Sequence, residues 1–199
     1  MTNLSKLLDE LRSIAQLGLN YSKDEDDLER YRRLLDLSAQ QYEANCGLSS
    51  DVIKERFQRE LGYITPKIGV SASVFDTEGK QLLVKRTDDH TWCLPCGWAE
   101  VGESPQESLR REVLEETGLI VEVKDQIRLG HRMPGDFGLP HTTYHLQFYC
   151  VLVGGELRGS HETTDVGFYD IADIDNWHSD HELEAKTARQ YWAAELTSK

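Results

Sequence analysis

The chain of 199 residues has only four cysteines, five prolines and two methionines, and its 22 Lys and Arg are outnumbered by 35 Asp and Glu. Each shortage argues against something. Cys46, Cys93, Cys96 and Cys150 are too scattered for the framework of a disulfide-stapled secreted domain. A formal charge of −13 argues against a surface that neutralises a phosphate backbone with Lys and Arg, so no nucleic-acid partner is expected. No apolar run approaches the roughly 20 residues that cross a bilayer, and no membrane partner is expected. The opening MTNLSKLLDELRSIAQ mixes acid and base, unlike a secretion signal. These features predict a cytoplasmic protein.

The length suits one domain with a small addition. Residues 1–63 read as helices. Leu4, Leu7, Leu8, Leu11 and Ile14 recur at helical spacing as far as Gly18. Ser22 to Glu25 reads as a capping box for a second helix, and Asp51 as the cap of a third that Gly62 closes. Helices of this kind bury little alone and need a partner surface. Residues 63–66 (YITP) form the expected linker to a second domain, 66–199. There the period changes to that of strands: KIGVSASVFD and KQLLVKR as a hairpin about Thr77-Glu78-Gly79, then VEVKDQIRLGH, HTTYHLQFYCVLV and GFYDI. Ser179 to Glu182 reads as a capping box for a last helix. Strands with helices on their faces predict an α/β sandwich.

Most of the chemistry lies between Gly97 and Leu119. Ser104-Pro105-Gln106-Glu107 is a capping box with Pro at the first helical position, and Gly118 suits the left-handed closing residue. On that helix Glu112, Glu115 and Glu116 share one face at i, i+3 and i+4. Such like charges repel by about 0.2–0.5 kcal/mol per pair in an isolated helix, whereas a hard divalent cation would bind them. Oxygen ligands with retained waters suit Mg²⁺ or Mn²⁺. Arg111 can pair with Glu107, Glu115 or Glu103. The bland alternative is an acidic, solvated helix face.

The order Gly97, Glu103, Arg111-Glu112, Glu115-Glu116, Gly118, Leu119 resembles the Nudix hydrolase signature at every required position. The resemblance extends from Pro66 to about Asp173 and implies an α/β/α Nudix sandwich with a mixed sheet. It implies a metal-dependent pyrophosphohydrolase in which water attacks a diphosphate linkage. The helical leader and the box GWAEVGESP resemble a subgroup that hydrolyses nucleoside diphosphates linked to X, of the CDP-choline and ADP-ribose pyrophosphatase type. This subgroup implies a nucleotide substrate and a homodimer, with the leader helping to form the dimer and shape the substrate site. A nucleoside triphosphate pyrophosphatase and a non-cleaving nucleotide-sugar regulator are the alternatives.

On this resemblance Glu112, Glu115 and Glu116 would hold one to three Mg²⁺ or Mn²⁺ ions with the main-chain carbonyl of Cys96. The family commonly has Gly where Cys96 stands, and a Cβ there narrows the backbone angles. Arg111 would orient Glu112 or Glu115. A general base is expected on the loop 158–165: Glu162 first, Asp165 second, with Glu115 also possible. Arg86, ending LLVKR, is a candidate for substrate phosphate, and Trp98 and Tyr144 for stacking a base. Cys93-Leu-Pro-Cys96 lacks the second ligand pair of a zinc site and ends a strand rather than opening a helix, so it reads as two unrelated thiols. The seven histidines carry no expected zinc site.

Overall fold

A computed structural model describes residues 4–100 and 102–197. The chain forms two compact units: residues 4–67 with His131–Thr143, and Ile68–Gly130 with residues 144–197.

In the first unit α1 (Leu4–Tyr21), α2 (Glu25–Cys46) and α3 (Ser50–Gln58) surround a core of Leu8, Ala15, Leu35, Ala39, Tyr42, Ile53 and Phe57. The buried stripe of α1 differs from the leucine repeat. Leu8 is buried, but Leu4, Leu7 and Ile14 face outward, and the polar Arg12 and Gln16 are inside. Arg12 can be buried because Phe57 stacks 4.1 Å under its guanidinium, while Gln16 and Glu60 accept its hydrogen bonds at 2.7 and 3.1 Å. The Gln16 amide donates to the carbonyls of Phe57 and Glu60 at 2.6 Å. These bonds tie α1 to the end of α3, which stops at Gln58 rather than near Gly62.

The caps also differ from expectation. Ser22 still donates its N–H to the Gly18 carbonyl, so it closes α1, and Asp24 caps α2 by accepting from Asp27 N–H. Ser49, not Asp51, caps α3. The segment His131–Thr143, far along the chain, joins this unit through Thr142 Oγ1 donating to Asp9 at 2.6 Å and Lys67 N–H donating to the Thr142 carbonyl.

The second unit is an α/β fold with two sheets. In one, β4 (Cys96–Trp98), β1 (Lys67–Val74), β6 (Thr143–Gly155) and β5 (Leu119–Arg132) are neighbours in that order; in the other, β3 (Trp92–Cys93), β2 (Gln81–Arg86) and β7 (Thr163–Tyr169) are. The expected hairpin of β1 and β2 does not form. Past a single bridge between Phe75 and Gln81 the two strands enter different sheets. The turn between them stands: Gly79 has φ 81°, and Asp76 accepts from the N–H groups of Glu78 and Lys80.

β1 is covered on both faces. Val70, Ala72 and Val74 join Leu109 and Val113 of α4 (Pro105–Thr117) in the main core. The alternate residues Ser71 and Ser73 meet Glu184 and Gln147 on the side of α5 (His181–Thr197). That alternation explains a strand with buried apolar residues on one side and buried serines on the other. A second cluster joins Leu83, Leu94 and Ala185 of α5. Ser179 has φ 52°, unlike the extended N-cap expected of it, and α5 begins at His181.

Candidate active site

Helix α4 is fixed locally before it is fixed by packing. Ser104 Oγ accepts from the Glu107 N–H at 3.3 Å and the Glu107 carboxylate accepts from the Ser104 N–H at 2.8 Å. Gly118 closes the helix at φ 71°. Leu109 and Val113 anchor one side in the core, so the face bearing Glu112 and Glu116 turns toward β4. With Glu107 committed to the cap, Arg111 pairs instead with Glu103 at 3.2 Å, Glu112 at 2.9 Å, Glu115 at 3.3 Å and the Trp98 carbonyl at 3.3 Å. One guanidinium thereby ties the loop to the acids.

Glycine at position 97 leaves room for the Glu112 carboxyl, which a Cβ there would displace. Glu112 thus lies against the β4 backbone. Beside it Glu116 is 9% exposed and accepts the Cys96 N–H at 3.0 Å. β1 and β4 pair Val70 with Gly97, and the bonds Ala72 N–H to Pro95 carbonyl and Ala99 N–H to Ile68 carbonyl bracket that pair. Cys96 is therefore out of phase, and its N–H and carbonyl both face away from β1, the N–H onto Glu116.

The electrostatics are those of anions forced together. Burial pushes the Glu116 carboxyl up to about 8, against the Cys96 hydrogen bond, with the charges of Glu112 and Glu162 adding to the rise and Arg86 opposing it. Glu112 is raised as well, by burial first, against Arg111, with Glu115 and Glu162 adding. A cleft of about 350 Å³ opens here, lined among others by Val84, Arg86, Glu116, Glu162 and Thr163.

Glu112, Glu116, Arg111, Arg86, Glu162 and the Cys96 main chain therefore come together. Glu162 is exposed, with its backbone carbonyl holding Thr87 N–H at 3.0 Å. Arg86 also pairs with Asp88 at 2.6 Å, a partner that no local pattern marks. Glu115 stands apart, 59% exposed and turned to Arg111. Asp165 is taken by the Tyr169 hydroxyl at 2.9 Å. Trp98 and Tyr144 are exposed rather than core aromatics. Hydrogen bonding with Cys93, burial, and the charges of Glu116 and Glu184 hold the Cys96 thiol well above its usual range, so it stays a thiol.

This donor set fits a hard divalent cation. It offers two closely packed carboxylates and a strand-edge carbonyl, all oxygen, with a charge repulsion that a cation would relieve. Among the described residues no three His, Cys, Asp or Glu side chains form a ready cage. Mg²⁺ typically takes only one or two carboxylates, completing its shell with waters and substrate phosphates.

Comparison with known proteins identifies the family. Residues 65–195 match the family described as the NUDIX domain, and residues 2–57 match one described as a UDP-X-like, N-terminal oligomerisation domain. YjhB of Bacillus subtilis, provisionally named an ADP-ribose pyrophosphatase, is 35% identical over 163 residues, 80% of this chain and 76% of that protein. An ADP-ribose pyrophosphatase of Methanocaldococcus jannaschii is 30% identical over 67% of this chain and 80% of its own length. A crystal structure of a UDP-X diphosphatase superposes with a TM-score of 0.59 at 27% identity, covering 96% of this chain and 94% of that one. With a family match over most of its length, laid on a capped helix whose acids crowd one another beside a cleft, the chain belongs to the Nudix hydrolase family.

Proposed function

We propose that this Nudix pyrophosphohydrolase cleaves the diphosphate linkage of a nucleoside diphosphate joined to X, releasing a nucleoside monophosphate and X-phosphate, with ADP-ribose or CDP-choline type compounds as substrates. The observation that carries the proposal is the crowding of Glu116 by the charges of Glu112 and Glu162 at a cleft that Arg86, Glu116 and Glu162 line. Glu112 and Glu116, with the Cys96 carbonyl, would hold Mg²⁺ or Mn²⁺, and Glu115 would support them from the solvent side. Such an ion lowers the pKa of a bound water and offsets charge on the phosphate oxygens. Arg111 keeps Glu112 and Glu115 aimed. Glu162 takes the proton of the attacking water, and Arg86 exchanges Asp88 for a substrate phosphate. Because phosphoryl transfer is mainly positioning and electrostatics, no covalent nucleophile is needed.

The names of the two pyrophosphatase relatives and the near-full-length likeness to a UDP-X diphosphatase support this substrate class. The apolar Leu4, Leu7 and Ile14 left outward on α1, together with the oligomerisation-domain match, support a homodimer. We also place its action in the cytoplasm, on composition. No described helix is long and apolar enough to cross a membrane.

The test is a panel of ADP-ribose, CDP-choline, UDP-sugars and nucleoside triphosphates with Mg²⁺, with products resolved by ³¹P NMR. The proposal expects two monophosphates from an NDP-X. Pyrophosphate from triphosphates alone would replace it with the triphosphate reading, and binding without cleavage would replace it with a regulator.

A further inference from the structure

Outside the cleft, buried charge gathers around Glu184 of α5, which is fully buried. Its Oε1 lies 2.6 Å from His145 Nδ1 and accepts from Arg128 Nη1 at 3.2 Å, while its Oε2 accepts from Ser71 at 2.8 Å. Burial alone would raise this carboxyl, but hydrogen bonds with His145 and Ser71 hold it at about 2. Strands β1, β5 and β6 and helix α5 thus share one fixed anion. His181, one turn before it, is also buried, with Nδ1 3.6 Å from Glu184.

The ring of His181 meets the approach to Gly97. Its Nδ1 accepts the Leu94 N–H at 3.3 Å. An accepting Nδ1 leaves Nε2 as the protonated nitrogen of the neutral ring, and Nε2 lies 3.9 Å from Cys96 Sγ. Leu94 and Cys96 flank Pro95 in the bend from β3 to β4, so His181 grips both sides of it. Cys96 is also the residue whose N–H lands on Glu116.

We propose that His181 is a positioning residue that fixes the Leu94–Cys96 bend so that the Cys96 main chain faces Glu112 and Glu116 for the divalent cation. This rests on the cation reading above and extends it to residues outside the signature. The Cys96 thiol itself docks between His181 and Cys93. Partners behind the direct ligands commonly govern metal affinity in this way.

The test is Mn²⁺ binding without nucleotide, read by EPR of the free ion, in wild type, His181→Phe and Cys96→Ala. His181→Phe keeps a ring but removes both contacts. It is expected to weaken Mn²⁺ binding by about tenfold to a hundredfold, while circular dichroism stays native and KM for the nucleotide at saturating metal is unchanged. Cys96→Ala removes the thiol's contact with His181, together with its bond to Cys93, leaves the Leu94 bond, and is expected to lose a smaller factor. A folded His181→Phe with wild-type Mn²⁺ affinity overturns the proposal. Should that variant not fold, unchanged affinity in Cys96→Ala overturns it instead. Failure of the wild type to take up Mn²⁺ sinks the functional reading beneath it, a distinct outcome.

Discussion

Replacing Glu116 by Gln separates the chemistry of the site from the stability of the fold. Folding lifts the Glu116 carboxyl from an ordinary 4.5 to about 8. The native state therefore holds a proton that the unfolded chain has released between those values. Stability rises with pH only where the unfolded state binds more protons. Here the native state binds more, so without metal the protein loses stability as pH climbs from about 4.5 through about 8. At about 1.4 kcal/mol per pH unit the ceiling is about 5 kcal/mol. Relaxation and water entry, which keep the effective dielectric of buried sites well above that of dry protein, bring the expected loss to about 1–3 kcal/mol. Urea melts in EDTA from pH 5 to 9 should show this decline in wild type and a much flatter profile in Glu116→Gln, while the variant loses turnover. Mg²⁺ should flatten the wild-type profile and leave the variant unmoved. Parallel pH profiles for the two proteins in EDTA would refute the reasoning.

Three further outcomes follow from the geometry. Gly97→Ala drives a methyl into the Glu112 carboxyl, and kcat measured at saturating Mg²⁺ should fall by about two orders of magnitude, in keeping with the cost of a small misplacement of reacting groups. Ser104→Ala removes the side-chain half of the α4 cap and should cost about 1 kcal/mol in chemical denaturation. Glu162→Gln should lower kcat by about a hundredfold or more while Mn²⁺ uptake persists; a loss of uptake instead would make Glu162 a ligand.

The parts of the fold legible in the sequence are those that neighbouring residues decide. The α4 cap, its Pro105 and its Gly118 act within one turn of the chain, and the spacing of Glu112 and Glu116 follows from helical periodicity alone. What the chain hid depends on distant partners. Arg12 and Gln16 read as the polar side of α1, yet Phe57 and Glu60 make their burial possible. β1 and β2 read as a hairpin because the turn at Gly79 is genuine, whereas strand pairing is settled by β4, β6 and β7. Capping boxes at Ser22 and Ser179 have the right letters, but a preceding helix claims the first and a left-handed backbone removes the second. The Glu184 cluster collects single residues from several elements and leaves no local pattern. In the candidate site, the sequence named Arg86 and Glu162 without showing that Arg86 is shared with Asp88 or that Glu115 turns outward.

The central claim is that Glu116, buried beside Glu112, gives up its proton for a divalent cation. Calorimetric titration of Mg²⁺ at pH 7, repeated in two buffers of different ionisation enthalpy, tests it directly. Wild type should take up the ion with release of about one proton, since Glu116 is largely protonated at that pH, and Glu112→Gln/Glu116→Gln should take up none. Uptake without proton release, or equal uptake by the double variant, would contradict the account.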